Sequence, residues 1–216
     1  MNNAVIPAGW DLWFHATSLR FDAFDDESRM ENLGGDGNSG LGHFLAATIS
    51  GAAQYVDHAR RTGALADILI VAALEERSYC ASSDDFWCKN EDFSEEEEDP
   101  LGLLPPGGLL TREKLLGQGY ASLVIDDIDG TGAVMAMFES KNLRVLKRLN
   151  VTEAERLEAW LYGHHGGVTD PNERYALIEH WCAQDALRDR RTFAGLKERY
   201  SSTQMPANVQ ECYTQQ

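Results

Sequence analysis

A histidine closes the first apolar run of the chain. Leu12, Trp13 and Phe14 lead into His15, and Ala16, Thr17 and Ser18 follow it. Imidazole is suited to directed hydrogen bonding and to proton transfer near neutral pH. An isolated histidine on an apolar strand is ordinarily a hydrogen-bonded core residue. A place at the strand's end, beside two hydroxyls, points instead to a site. Pairing of His15 with Ser18 would suit a hydrolase, but no G-x-S-x-G nucleophile elbow exists. Metal chemistry is not expected. His180 and Cys182 stand two apart on a helix and face different directions, and His164 and His165 read as turn residues. Cys80, Cys88, Cys182 and Cys212 form no C-x-x-C pair. They read as reduced thiols of a cytoplasmic protein.

The elements that must position His15 follow from periodicity. Residues 12–16 read as the first strand, and Phe21 and Phe24 follow at helical spacing, as a turn packing over its end. Residues 28–40 form a glycine-rich loop. A strand-like run from Leu41 to Ala46 precedes a helix that Ser50 would cap, reaching about Arg60. The apolar run Ile68–Leu74 reads as a strand buried on both faces. Glu95 to Asp99 are consecutive acids, which repel one another and favour an exposed segment. A helix from Thr111 ends at Gly117 or Gly119, and strands are expected over 121–125, 133–138 and 143–146. From Val151 the pattern turns helical. Thr152 with Glu155 and Asp170 with Glu173 read as capping boxes, and Phe193, Leu196 and Tyr200 suggest a third helix. The expected division is 1–150, a helical appendage 151–200 and a tail 201–216.

The order of these parts adds more. A strand ending His15-Ala16-Thr17-Ser18, the Phe21-x-x-Phe24 step, a glycine-rich loop, Gly42-His43-Phe44 and an alanine-rich helix with Tyr55 come in succession. Later come Gly119-Tyr120-Ala121, a strand ending Phe138-Glu139 and a Leu/Val strand. Over roughly residues 10–149 this resembles the ADP-ribosyltransferase superfamily, which includes diphtheria-type toxins, poly(ADP-ribose) polymerases and domains of phage polyvalent proteins. The resemblance implies an α+β fold with a split, mainly antiparallel sheet gripping NAD, which is consumed as substrate. It implies that His15 bonds an NAD ribose hydroxyl and that the Ala16 and Thr17 region holds the nicotinamide amide through backbone. Ala16 stands where glycine is usual. The resemblance further makes His43, Phe44 and Tyr55 the aromatic element that stacks on nicotinamide; tyrosine is usual where His43 falls. The family's catalytic glutamate aligns with Val134. Glu139, Asp127 and Asp129 are the acids that could substitute, and Glu139 is taken with His15 as the catalytic pair.

Bulk properties limit the partners. The 216 residues carry 19 Lys and Arg against 35 Asp and Glu, a formal net charge of −16. Such a surface repels phosphate backbones, so no nucleic-acid partner is expected, and RNA 2′-phosphotransfer on a similar fold is disfavoured. No apolar run is long enough to cross a membrane, and the N-terminus does not read as a secretory signal. The resemblance thus implies mono-ADP-ribosyl transfer to a protein acceptor by a bacterial or phage effector. The alternative is a catalytically inactive module of the same fold that binds a partner through its acidic surface. The sequence carries no signal of oligomeric state.

Overall fold

Backbone alternation at the start of the chain builds a strand longer than its apolar run. β1 spans Trp10–Thr17, with Leu12, Trp13 and Phe14 buried. The computed structural model describes residues 6–31, 41–61, 66–82, 107–126, 132–165 and 167–199. The glycine-rich stretch 32–40, the acidic stretch 91–99, Asp127, Asp129, Cys88, Cys212 and the tail 201–216 lie outside the described residues. After β1 come α1 (Asp26–Glu31), β2 (His43–Ala46), α2 (Ile49–Arg61), β3 (Asp67–Leu74) and β4 (Ser78–Ser82). Then follow α3 (Gly107–Gly117), β5 (Ser122–Asp126), β6 (Val134–Met137), β7 (Leu143–Asn150), α4 (Val151–His165) and α5 (Pro171–Arg199).

The fold is α+β. Seven strands form one sheet in the order β4-β5-β6-β2-β1-β3-β7. Every neighbouring pair is antiparallel except β4 with β5. The pairing is uneven. β1 and β3 are registered along their whole length, from Trp10↔Leu74 to Thr17↔Asp67. β1 and β2 share one registered pair, Phe14↔Ala46. Beyond it, among the described residues, His15 to Thr17 have no registered partner on β2, and this unregistered stretch is the opening between β1 and β2.

Period-two alternation sorts the side chains onto two faces. On one face Trp13, Leu45, Leu69, Val71, Met135 and Met137 form a core, with Phe21, Phe24 and Val145 packed on it. On the other, Leu41, Leu123, Ile125, Ala136 and Phe138 meet Leu115 of α3, with Phe44 and Tyr120 alongside. β3 runs between β1 and β7 with Ile68 to Ala73 fully buried, so both of its faces are covered. The indole Nε1 of Trp13 is buried with no hydrogen-bond partner among the described residues.

Several element ends differ from those the sequence suggests. α2 is capped by Thr48, whose Oγ1 accepts the N–H of Gly51 at 2.9 Å. Ser50 lies inside the helix and donates its N–H to Glu158 of α4 at 3.0 Å. α4 is capped by Asn150, not Thr152. Asn150 Oδ1 accepts from Glu153 N–H at 2.9 Å, and Glu153 Oε2 accepts from Asn150 N–H at 3.0 Å. That reciprocal box sits two residues early because β7 passes straight into α4. The loop expected over 28–40 begins later, since α1 extends to Glu31. The second and third helices expected after Asp170 are one, α5, with no proline beyond its first residue to break it. β4 is the strand that the sequence hides: Ser78–Ser82 has no apolar alternation to betray it.

By compactness the chain divides at Asn172 and Glu173. In the first unit α4 buries Val151, Ala154 and Leu157. In the second, Tyr175, Ile178 and Trp181 make the buried stripe of α5.

Candidate functional site

The register of the sheet sets the site. His15 pairs with Leu69, and Leu69 pairs with Arg148, so the three stand in one row on one face. His43 opens β2 opposite Met137, at the same end of the sheet. Gly42 lets it do so. A Cβ on Gly42 would lie 2.5 Å from the carbonyl oxygen of Met137, so only glycine lets the chain approach β6 this closely before His43.

His15 bridges the opening between β1 and β2. Its Nδ1 lies 2.7 Å from the carbonyl oxygen of Phe44. A carbonyl only accepts, so Nδ1 carries the proton and Nε2 keeps its lone pair. Burial of the ring pulls its pKa from 6.5 down to about 4, opposed by the bond to Phe44 and assisted by His43 and Arg148. His15 is therefore a neutral imidazole at neutral pH.

Two phenylalanines fill the space beside it. The Phe24 ring meets His15 edge-on at 5.1 Å and His43 edge-on at 5.2 Å. Phe21 lies 5.2 Å from Phe24 and 6.2 Å from His15. Arg148 holds the Phe21 segment in place. Its Nη2 donates to the Phe21 carbonyl at 2.8 Å, its Nη1 pairs with Asp67 at 2.8 Å, and its guanidinium lies over the Phe21 ring at 5.8 Å.

The far side of the cluster is anionic. His43 Nε2 donates to Asp26 Oδ1 at 2.8 Å, with side chains 7% and 38% exposed respectively. Both Asp26 oxygens accept the N–H of Ser140 at 3.1 Å, and Oδ2 accepts its hydroxyl at 3.0 Å. Burial works against the charge on Asp26, but the bonds from His43 and Ser140 outweigh it and hold its pKa below the usual value.

His15, the Phe44 carbonyl and His43 thus come together. Phe44 contributes its backbone only, because its ring joins the cluster on the opposite face of the sheet. Tyr55 is a half-exposed residue of α2, and no residue of α2 belongs to the His15-face core among the described residues. Thr17 accepts the N–H of Leu19 at 3.0 Å, closing the turn after β1, and Ala16 pairs with Ile68. Val134 starts β6 at the end remote from His43 and shares the face of Ala136 and Phe138. Glu139 follows β6 at the His43 end and pairs with Lys141 at 2.8 Å. Its neighbour Ser140 is the residue that bonds Asp26.

Asp26, Ser140 and Arg148 are site residues that sequence reasoning missed. A signal existed for the first. Asp25 and Asp26 are adjacent, and one acid is enough to cap α1. Asp25 does that, accepting the Ser28 N–H at 3.0 Å and its hydroxyl at 2.6 Å. Among the described residues no group of three or more His, Cys, Asp or Glu could hold a metal. Among them also, no helix is long and apolar enough to cross a membrane.

No protein-family model matches the sequence, and no curated protein matches it. Among solved structures, the chain is similar to one in the crystal structure of the M. tuberculosis MbcT–MbcA toxin–antitoxin complex. Identity there is 10% and the TM-score 0.43, with 69% of this chain and 90% of that chain covered. A likeness of this degree leaves the chemistry to be argued from the site itself.

Proposed function

We propose that the opening between β1 and β2 binds NAD and that the protein is a mono-ADP-ribosyltransferase acting on a protein acceptor. The observation that carries this reading is the neutral His15 at the sheet opening. Its Nδ1–H is spent on the Phe44 carbonyl, which leaves Nε2 to accept a ribose hydroxyl. The unregistered edge of β1 offers backbone groups to an amide. Phe21, Phe24 and His43 supply apolar and aromatic walls for a flat ring.

In the reaction, the bond between ribose C1′ and the nicotinamide nitrogen breaks heterolytically. The electron pair stays on nicotinamide, which leaves neutral, and the ribose becomes cationic. A nucleophile on the acceptor then bonds to C1′ and gives up its proton. Glu139, at the His43 end of β6, is the base assigned to that proton. His15 holds the ribose, which lowers the barrier by orientation. The acidic chain, active in a cytoplasm, would meet its acceptor as an effector.

Binding and transfer are tested separately. Isothermal calorimetry of the whole chain with NAD should give a saturable heat. His15→Ala should weaken binding by roughly 1–3 kcal/mol, the scale of losing a hydrogen bond and leaving its partner unpaired. Labelled NAD incubated with protein and cell lysate should label an acceptor, and Glu139→Gln should cut turnover far more than binding. Transfer undiminished in Glu139→Gln would acquit that residue. Val134, whose side chain has no polar atom, favours one second reading, a module that binds NAD without cleaving it. Saturable binding with neither transfer nor nicotinamide release would establish that reading.

A further inference from the structure

We propose that Asp26 is the positioning carboxylate of this cleft: it fixes the His43 imidazole and keeps a negative charge beside the reacting ribose. The inference rests on the reading that the cleft takes NAD.

The geometry argues for more than a structural role. Capping of α1 is supplied by Asp25, which accepts the Ser28 N–H at 3.0 Å. A buried imidazole needs only an acceptor, and a neutral carbonyl suffices for His15. His43 has a carboxylate instead. Its charge must be stabilised, and donors converge to do so: the His43 Nε2–H, the Ser140 N–H and the Ser140 hydroxyl. Two histidines bracketing one phenylalanine ring thus have different partners, one neutral and one anionic.

That difference suits the bond being broken. As C1′ parts from the nicotinamide nitrogen, positive charge moves from the leaving ring to the ribose. Asp26 takes up and releases no proton in this step. Its fixed charge favours the ribosyl cation, and through Nε2–H it holds the His43 ring in one tautomer and orientation. Ser140 ties the pair to the end of β6, one residue from Glu139, so a shift of that end would be felt at His43.

The test is steady-state nicotinamide release and calorimetric NAD affinity, measured on the full chain and on Asp26→Asn, Asp26→Glu and His43→Gln. Asp26→Asn should lower kcat by about tenfold to a hundredfold, the scale of one charge several ångström away at an effective dielectric of about 20. NAD affinity should stay within about threefold, because the interaction belongs to the transition state. Asp26→Glu should recover part of the loss. His43→Gln keeps the Asp26 charge, so it should lower kcat less than Asp26→Asn does, and the double variant should be no worse in kcat than Asp26→Asn, which already releases the ring. Unchanged kcat in Asp26→Asn overturns the inference alone. Affinity and kcat falling together, or additive losses in the double variant, overturn it in favour of a structural role. Should Asp26→Asn fail to fold, His43→Gln with unchanged kcat overturns it. Wild-type binding without turnover also overturns it, while absence of wild-type NAD binding overturns the reading of the cleft itself.

Discussion

At the scale of single residues, the protonation of His15 decides what the cleft can accept. Its pKa in the folded chain, about 4, lies below the 6.5 of an exposed imidazole. Between those values the unfolded chain binds the extra proton and the folded chain does not. Stability from a neutral His15 is therefore complete above about pH 6.5 and lost as pH falls toward 4. A shift of this size corresponds to on the order of 3 kcal/mol. Denaturant titrations at pH 7 and pH 4.5 should show that loss, and His15→Gln, which does not titrate, should show much less of it. An equal loss in both proteins would refute the neutral, buried imidazole. Asp26 has the same sign, over a lower pH range. Its depressed pKa adds stability above the usual carboxylate range that disappears only as pH falls through the folded value. His15 and His43 were legible in the sequence because each adjoins an apolar strand. The adjacent pair Asp25 and Asp26 carried a local signal for Asp26, but Arg148 was not legible, because it reaches the site through its side chain from a segment distant in the chain. No local pattern encodes that.

Among elements, the join between β2 and β6 should be the most sensitive to a small change. A methyl on Gly42 meets backbone that has no room to move. We expect Gly42→Ala to destabilise the fold by about 1–3 kcal/mol, the range for overpacking, and to displace His43. Chemical denaturation would read the first effect and NAD affinity the second. At the head of α4, Asn150→Ala should cost about 1 kcal/mol by removing one half of the capping box. Thermal melting would measure it, and Thr152→Ala serves as the control because Thr152 is outside the box. Helices and buried strands were readable from their periods, as Ile68–Leu74 illustrates. Boundaries were less so, because Asn150–Glu153 and Thr152–Glu155 satisfy the same capping rule. Local sequence alone does not choose between them; the end of β7 does. β4 gave no warning, since its five residues, Ser-Tyr-Cys-Ala-Ser, are half polar and earn strand geometry from pairing with β5.

For the whole molecule, the expectation of a helical appendage from 151 has a direct consequence. Val151, Ala154 and Leu157 of α4 are buried, and α4 packs on α2, β3 and β7. A chain ending at residue 150 should expose that surface, lose solubility and melt lower than the full protein. One as soluble and heat-stable as the whole would reject the idea. Thiol titration under denaturing, non-reducing conditions should find all four cysteines as thiols; among the described residues, Cys80 and Cys182 form no disulfide. The net charge of −16 belongs to association rather than fold, and it predicts that added salt changes partner binding more than it changes melting. The central claim is that the opening beside His15 takes NAD. Calorimetric titration of the full chain with NAD tests it most directly. Saturable binding that weakens in His15→Ala is the expected result, and no heat of binding at millimolar NAD would contradict it.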